Sequence, residues 1–232
     1  MSYILECRNL TKRYGHVTAL DNVSFSLESG HVVGLLGPNG SGKTTLIKLI
    51  NELLTPSEGE LLVDGHKPGK ESKAVVSYLP DATYLDMNDT VDSVINMFVD
   101  FYADFDKARA YEMLARLNVN PHDSLKTMSK GTKEKVQLIL VMSRKAKLYV
   151  LDEPIAGVDP AARDYILKII MDNYNPGSTI LISTHLIADI EGILDEVLFI
   201  REGRILLQSS KDEIVKTQGK TVDQYFREVF AC

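Results

Sequence analysis

Apolar and polar residues alternate near the start of the chain, as they do in strands with one buried face. Val23, Phe25 and Leu27 are separated by single polar residues, which predicts a half-buried β-strand. Residues 31–36 and 61–63 are short, mostly apolar runs bounded by glycine, and they predict two more strands. The first third of the chain is therefore predicted to form a strand-rich layer.

The apolar period changes to that of a helix between residues 86 and 147. One helical face is predicted from the spacing of Val91, Val94, Ile95, Phe98 and Val99. A second helix is predicted from Tyr111, Leu114, Ala115 and Leu117. We therefore expect a helical lobe over about 86–147.

Beyond this lobe, continuous apolar runs at 148–151 and 179–183 predict two buried strands. The helix between them is predicted to begin at Asp159 and Pro160, a capping residue followed by the residue favoured at the first helical position. Buried strands that alternate with helices predict a parallel sheet. Residues 1–232 are expected to form one domain, with an α/β body at 1–85 and 148–232 and the helical lobe inserted at 86–147.

The composition excludes several classes of protein. The 232 residues carry a net charge of −6, and 44% are apolar and 25% charged, which excludes collagen-like, disulfide-rich and disordered chains. Cys7 and Cys232 lie at opposite ends of the chain without a Cys/His cluster, so no zinc site is predicted. The longest apolar run, 138–142, is far shorter than a membrane span, and no signal peptide is apparent. The net negative charge argues against a nucleic-acid partner.

A glycine-rich segment between a predicted strand and a predicted helix matches the phosphate-loop pattern G-x-x-x-x-G-K-[ST]. The segment comprises Gly37, Pro38, Asn39, Gly40, Ser41, Gly42, Lys43, Thr44 and Thr45. Its glycines let backbone N–H groups point at phosphate oxygens, Lys43 can reach the β- and γ-phosphates, and the Thr44 hydroxyl can ligate Mg²⁺. A glycine-rich turn with a surface lysine is the alternative, but the strand and helix context favours a nucleoside triphosphate site.

The predicted strand at 148–151 ends in two carboxylates, Asp152 and Glu153. The carboxyl end of such a strand lies beside the phosphate loop in a parallel sheet, where Asp152 can hold Mg²⁺ and Glu153 can polarise an attacking water. A solvated strand end would look similar by itself, so this interpretation depends on the phosphate loop.

Which kind of nucleotide enzyme this is depends on further motifs. In chain order the motifs are Tyr14, the phosphate loop, Tyr78-Leu79-Pro80-Asp81, Ser129-Lys130-Gly131, Asp152-Glu153-Pro154, Ala156-Gly157-Val158-Asp159 and Thr184-His185. Their order and spacing resemble the ATP-binding-cassette (ABC) ATPase family across nearly the whole chain. The resemblance implies an α/β P-loop NTPase fold of the ABC ATPase type, with an antiparallel β subdomain and the inserted helical lobe. It also implies that ATP and Mg²⁺ bind and that ATP hydrolysis drives transport.

The resemblance assigns roles to three residues outside the phosphate loop. Tyr14 matches the aromatic platform for adenine, although it also fits a surface aromatic residue. His185 matches the switch histidine that contacts the γ-phosphate, although a lone histidine at a strand end is often structural. Asp159 matches the loop that communicates between paired subunits, and it also fits the N-cap of the following helix.

The family signature, usually Leu-Ser-Gly-Gly-Gln, is altered in this chain. Ser129 and Gly131 are kept, while Lys130 replaces the first glycine, so the segment also fits a plain capping turn. In the family, the signature helix of one subunit closes over the γ-phosphate held by the other. Asp81 stands where the family usually has glutamine, and it is either a Mg²⁺ contact or a polar loop residue.

One phosphate loop and one signature imply, by this resemblance, that two ATPase subunits pair head to tail. The resemblance also implies an integral-membrane transporter subunit as partner and a location on the cytoplasmic face of the membrane. The motif variants look most like exporters of peptides, lipids or drugs, and import stays open. Two alternatives are a catalytically weak regulatory subunit and a soluble ABC ATPase. The resemblance further implies that the membrane subunit docks on the groove between the α/β body and the helical lobe. Near this junction lie four aromatic residues that form either a docking surface or part of the core: Phe98, Phe101, Tyr102 and Phe105.

Overall fold

Two β-sheets organise the protein. The computed structural model describes residues 3–231, with only the backbone described at 161 and 162, so Cys232 lies outside the described residues. The strands are β1 (Tyr3–Tyr14), β2 (Val17–Glu28), β3 (Val32–Leu36), β4 (Glu58–Val63), β5 (Val76–Leu79), β6 (Leu148–Asp152), β7 (Thr179–Thr184), β8 (Glu196–Arg201) and β9 (Arg204–Ser210). The helices are α1 (Lys43–Ile50), α2 (Lys70–Val75), α3 (Val91–Phe101), α4 (Lys107–Arg116), α5 (Lys130–Met142), α6 (Pro160–Asn173), α7 (Ile187–Ile190), α8 (Lys211–Gln218) and α9 (Val222–Phe230). Single 3-10 turns lie at Leu125–Thr127 and Glu191–Ile193.

The smaller sheet is antiparallel, with the strand order β2-β1-β4. Leu5 of β1 pairs with Leu27 on one side and Val63 on the other, so three apolar side chains line up across the sheet. The alternation predicted for β2 is observed, because Val23, Phe25 and Leu27 are all buried. One face of this sheet therefore packs into the core, and the antiparallel subdomain is confirmed.

The larger sheet has the order β5-β6-β7-β3-β8-β9, and all its neighbouring strands run parallel except β8 and β9. The predicted parallel sheet is thus confirmed, with an antiparallel edge strand added. The carboxyl ends of β5, β6, β7 and β3 lie next to one another at one edge. Loops that leave these four strands must meet there, as expected for an open α/β sheet.

Two apolar clusters hold the layers together. Leu35 of β3 and Leu46 of α1 belong to the cluster that packs against the antiparallel sheet. Leu36, Tyr149 and Phe199 belong to the second cluster, which extends under the helices of the opposite face. The parallel sheet is thus buried on both faces, which explains the continuous apolar runs in its strands.

Helices α3, α4 and α5 lie in the chain between β5 and β6. Val94 and Ile95 of α3 are buried as predicted, whereas Val99 and Ala115 are exposed, so these two were wrongly placed on the buried faces. Of the four aromatic residues in question, Phe98 packs against Tyr102 and Phe105, with ring centroids 5.3 and 5.6 Å away. Phe101 is 76% exposed and is not part of this core.

Arg144, just after α5, links this helical segment to the sheet. Its guanidinium pairs with Asp104 through two contacts of 3.0 and 3.1 Å and donates to the carbonyl oxygens of Ala74 and Val76. It also lies 3.9 Å from the centre of the Tyr102 ring. Over residues 3–231, no helix combines the length and the apolar character that a bilayer span requires.

Candidate functional site

The phosphate loop follows β3 and runs directly into α1. Gly42, at the N-cap position of α1, has a φ of 111°, a conformation that L side chains rarely adopt. A Cβ atom there would also lie 2.8 Å from the carbonyl oxygen of Ala19. A Cβ atom at Gly37 would lie 2.2 Å from the carbonyl oxygen of Ile200. Both glycines are therefore required by the way the loop packs.

Lys43 is buried at the start of α1, with 6% of the residue exposed. Its Nζ donates to the carbonyl oxygens of Gly37 and Pro38, at 2.7 and 3.2 Å. Burial lowers the pKa of Lys43, an effect opposed by the nearby Glu153 and Asp152 carboxylates. An ammonium group held by two loop carbonyls is well placed to interact with an anion in the same loop.

Ser41 supplies an observation that fits a phosphate ligand. Its Oγ is buried and has no hydrogen-bond partner among the described residues, which is rare for a buried hydroxyl. The backbone of the same residue is held from behind, because its carbonyl accepts from the Gly203 N–H at 2.9 Å. Gly203 in turn accepts from the Asp21 N–H at 2.9 Å. The turn between β8 and β9 thus fixes the phosphate loop to the antiparallel sheet.

Asp152 ends β6 and is 3% exposed. Its Oδ1 accepts a hydrogen bond from the Ser183 hydroxyl on the neighbouring strand β7. Burial raises the pKa of Asp152, and the negative charges of Asp81 and Glu153 raise it further, while Ser183 and Lys43 lower it. A bound cation would stabilise the ionised form of this buried carboxylate, because it offsets the repulsion from the neighbouring acids.

Glu153 and His185 face each other from the ends of β6 and β7. The Nδ1 atom of His185 lies 3.1 Å from both carboxylate oxygens of Glu153. Glu153 has a φ of 50°, an uncommon conformation outside glycine, and its N–H donates to the Ser183 carbonyl at 3.0 Å. The strand end therefore turns sharply and aims the carboxylate at the histidine, which leaves Nε2 of the ring for another partner.

A cleft of about 340 Å³ joins several predicted site residues. Its lining includes Asp81, Asp152, Glu153 and Asp159 together with Lys130 and Gly131 of the signature segment. Asp81 is exposed at the end of β5, beside the carboxylate of Asp152. The structure thus brings the predicted acids and the start of α5 to the same cleft.

The signature segment forms the start of α5. Ser129 is the N-cap, and its Oγ accepts from the Thr132 N–H at 3.2 Å. Lys130 begins the helix with a side chain that is 85% exposed and lies 3.7 Å from Glu134. Gly131 is also exposed, and a Cβ atom there would meet nothing. The capping turn considered from the sequence is therefore present.

Tyr14 ends β1 and is 45% exposed, on the side of the antiparallel sheet. The ammonium of Lys12 lies 5.3 Å from the centre of its ring. An exposed aromatic face next to a cation is suited to stacking against a base.

The donor set fits Mg²⁺ better than a metal that needs a complete protein cage. Among residues 3–231 no group of three or more His, Cys, Asp or Glu side chains is arranged to hold a metal ion. Magnesium is usually held by one or two carboxylates together with substrate phosphates and water. Thr44 is exposed in the loop, and Asp152 is buried at the adjacent strand end, which agrees with that mode.

Two contributors to the site were not predicted. The run 179–183 predicts only that Ser183 lies in a buried strand, yet its hydroxyl contacts Asp152 and its carbonyl accepts from the Glu153 N–H. Gly203 lies far from the phosphate loop in sequence and supports it from behind. A glycine between two charged residues indicates a turn but not what that turn contacts.

Comparison with known proteins agrees with this geometry. Residues 20–156 match the family model described as ABC transporter. The chain is 32% identical over 222 residues to the uncharacterized ABC transporter ATP-binding protein YcbN of Bacillus subtilis, covering 92% of this chain and 72% of that protein. It is 30% identical to the SkfA peptide export ATP-binding protein SkfE of the same organism, covering 88% and 87%. A solved ATP-binding subunit of an ABC transporter superposes with a TM-score of 0.88 at 27% identity, covering 97% and 99%.

Proposed function

This chain belongs to the ABC transporter family as an ATP-binding subunit, and we propose that it hydrolyses ATP to drive export through a separate membrane subunit. ATPases of this family bind ATP with Mg²⁺ and drive transport. The observation that carries the proposal is the convergence of the phosphate loop, Asp152, Glu153 and His185 on adjacent strand ends. Export is supported by the relative named for peptide export, and peptides, lipids and drugs are the cargo classes we favour.

The chain's own residues divide the work of hydrolysis. The phosphate loop, from Gly37 to Thr45, binds the phosphates, and Lys43 neutralises their charge in a buried setting. Thr44 and Asp152 hold Mg²⁺, with Asp81 as an additional contact. When bound, Mg²⁺ neutralises charge on the phosphate oxygens.

Glu153 and His185 act on the attacking water and the terminal phosphate. The Glu153 carboxylate accepts a hydrogen bond from the attacking water, which orients and polarises that water. His185 contacts Glu153 through Nδ1, so its Nε2 is the ring nitrogen that contacts the γ-phosphate. Tyr14 stacks on the adenine ring. Each of these roles is part of the proposal.

A second copy of the chain completes the site. We propose that Ser129 and Gly131 of one copy close over the γ-phosphate bound by the other, and that Asp159 faces the same interface. The exposed start of α5 supports this arrangement, because a helix N-terminus attracts an anion. ABC ATP-binding subunits work as dimers with membrane subunits.

The membrane subunit is proposed to dock in a groove of about 530 Å³ between α1 and the helical segment. Leu53, Tyr84, Phe98 and Tyr102 contribute apolar surface to this groove. Pro80 lines both the groove and the cleft that contains Glu153. A segment docked in the groove would therefore contact a residue that also lines the proposed ATP site. We propose that the chain, docked in this way, lies on the cytoplasmic face of the membrane.

Replacing Glu153 with Gln tests hydrolysis. Because the amide keeps the size of the side chain and removes its basicity, the rate should fall about 100-fold or more while ATP affinity stays within about twofold. Turnover would be measured by phosphate release and affinity by equilibrium binding. A Glu153→Gln variant that hydrolyses ATP at the wild-type rate would overturn the assignment.

Docking is tested by co-purification with a polytopic membrane protein from the native membrane. Leu53→Glu introduces a charge into the groove and should abolish co-purification. Leu206→Glu alters a similarly exposed leucine on β9 and should not. Equal co-purification of both variants would place the docking surface elsewhere.

A further inference from the structure

Behind the Glu153–His185 pair, one side chain links the two segments that carry these residues. Arg163 lies in the first turns of α6. Its Nε donates to the carbonyl oxygen of Val158 at 3.2 Å, and its Nη1 pairs with Asp189 Oδ2 at 2.7 Å. Val158 follows Glu153 in the chain by five positions, and Asp189 follows His185 by four. The guanidinium therefore spans both segments at once.

The segment after Glu153 is a compact turn. The Ala156 N–H donates to the Glu153 carbonyl at 3.1 Å, and the Val158 N–H donates to the Ile155 carbonyl at 3.4 Å. Ile155 is fully buried, which anchors this turn in the core. Hydrogen bonds and a buried side chain thus connect Val158 to Glu153 within one anchored turn.

The segment after His185 is equally well anchored. The Leu186 N–H donates to the Thr184 hydroxyl at 3.0 Å, and the Asp189 N–H donates to the Leu186 carbonyl at 3.3 Å. Ile187 and Ile190 of α7 are buried. Asp189 is thus held in a fixed relation to the strand end that carries His185.

These contacts form a closed ring. The His185 and Glu153 side chains join the two segments at the front, and Arg163 joins them at the back. Arg163 is half-buried, so its ion pair is less screened than the exposed pairs on the surface. A planar guanidinium can satisfy the carbonyl and the carboxylate at the same time, which a lysine ammonium does with poorer geometry.

We propose that Arg163 is a positioning residue that fixes His185 against Glu153 and thereby sets the rate of hydrolysis. The proposal rests on the proposed function, in which this pair acts on the attacking water and the γ-phosphate. Small errors in the position of such groups lower the rate strongly without a loss of substrate binding. Among the described residues, the Arg163 side chain contacts Val158 and Asp189, neither of which lies in the phosphate loop. Its effect should therefore fall on turnover alone.

Steady-state ATP hydrolysis by the full chain tests the proposal. Arg163→Ala should lower kcat about tenfold and leave KM for ATP within about twofold. Arg163→Lys and Asp189→Asn, which each weaken only part of the link, should lower kcat about threefold. The double variant Arg163→Ala/Asp189→Asn should be no slower than Arg163→Ala, because both changes act on one contact.

Lys168→Ala is the matched control, because Lys168 lies on the same helix and forms a surface ion pair with Asp172 at 3.2 Å. It should retain wild-type kcat and KM. Rates are expressed per ATP-binding site, counted by equilibrium binding, so that partial unfolding cannot imitate a lower kcat. If Arg163→Ala does not fold, the surface change Asp189→Asn still decides the outcome.

Wild-type kcat in both Arg163→Ala and Asp189→Asn would overturn the proposal. So would a rise in KM equal to the fall in kcat, or an equal loss in Lys168→Ala. Failure of the proposed function gives a different result, since Glu153→Gln would then hydrolyse ATP like the wild type. If Glu153→Gln loses hydrolysis while Arg163→Ala keeps the wild-type kcat, only the positioning role of Arg163 is rejected and the proposed function stands.

Discussion

The phosphate loop and the signature segment are both helix starts suited to phosphate, yet they are built differently. The loop before α1 has an exposed tip at 38–40 but a buried base, where the Gly37 and Pro38 carbonyls hold Lys43. The backbone of the buried residue Ser41 is held by Gly203. The start of α5 is exposed, and the Ser129 hydroxyl is occupied by its own helix cap.

This difference indicates which half of the ATP site one chain completes. A loop whose base is buried and hydrogen-bonded is preorganised, so it can bind phosphate without a second chain. An exposed helix start beside water has little affinity for an anion until a second surface excludes that water. We therefore expect changes in the loop to alter ATP binding and changes in the signature to alter turnover.

Of the changes in these two helix starts, Lys43→Ala should have the largest effect. Loss of a buried ammonium removes a charge-assisted contact worth about 3 kcal/mol, so ATP affinity should fall about 100-fold. Isothermal titration would measure the affinity. Lys48→Ala is the control, since Lys48 is an exposed lysine on the same helix and its loss should leave affinity unchanged. Equal effects of the two changes would contradict the special role of the loop.

A smaller effect, on turnover alone, is expected from Ser129→Ala. The change removes a helix cap worth about 1 kcal/mol of stability and the hydroxyl proposed to face the partner's γ-phosphate. We expect kcat to fall about tenfold while ATP affinity stays within about twofold, measured by phosphate release and by titration.

Thr90→Ala controls for the lost cap. Thr90 caps α3 with the same 3.2 Å contact, to the Ser93 N–H, so its loss should lower stability similarly and leave kcat unchanged. If Thr90→Ala slowed turnover as much as Ser129→Ala, the signature effect would be one of stability.

The smallest effect concerns the buried charge of Asp152. Its folded-state pKa is raised, so ionisation destabilises the folded protein. That destabilisation is absent below the unfolded pKa, grows as the pH rises through the folded pKa, and is fully present above the folded pKa. Asp152→Asn should therefore raise Tm at pH 7 without Mg²⁺, by about 2–4 °C for each kcal/mol relieved.

Calorimetry at neutral and acidic pH would test this effect of Asp152. The gain in Tm should shrink as the pH is lowered, because the wild-type carboxylate then becomes protonated. Asp172→Asn, which alters an exposed carboxylate, should show no such pH-dependent gain. A lower Tm for Asp152→Asn at neutral pH would show that the hydrogen bond from Ser183 outweighs the buried charge.

Local patterns predicted much of the fold. The phosphate loop, the strands that flank it and the buried stripe of α3 depend on turn stereochemistry and on the period of apolar residues, which a sequence displays directly. The prediction that Val99 lies on the buried face was wrong, because the spacing of apolar residues does not show how wide the covered face of a helix is. For the same reason the sequence does not decide whether Phe101 is buried or exposed.

The sequence by itself determined that this chain carries a phosphate loop and two carboxylates at a strand end, because those features are contiguous. Only the tertiary structure decided that Ser183 supports Asp152, 31 residues away, and that Arg163 pairs with Asp189, 26 residues away. It likewise brought Gly203 behind the phosphate loop. Such contacts depend on the strand order β5-β6-β7-β3, which follows from how all the layers pack and not from any one segment.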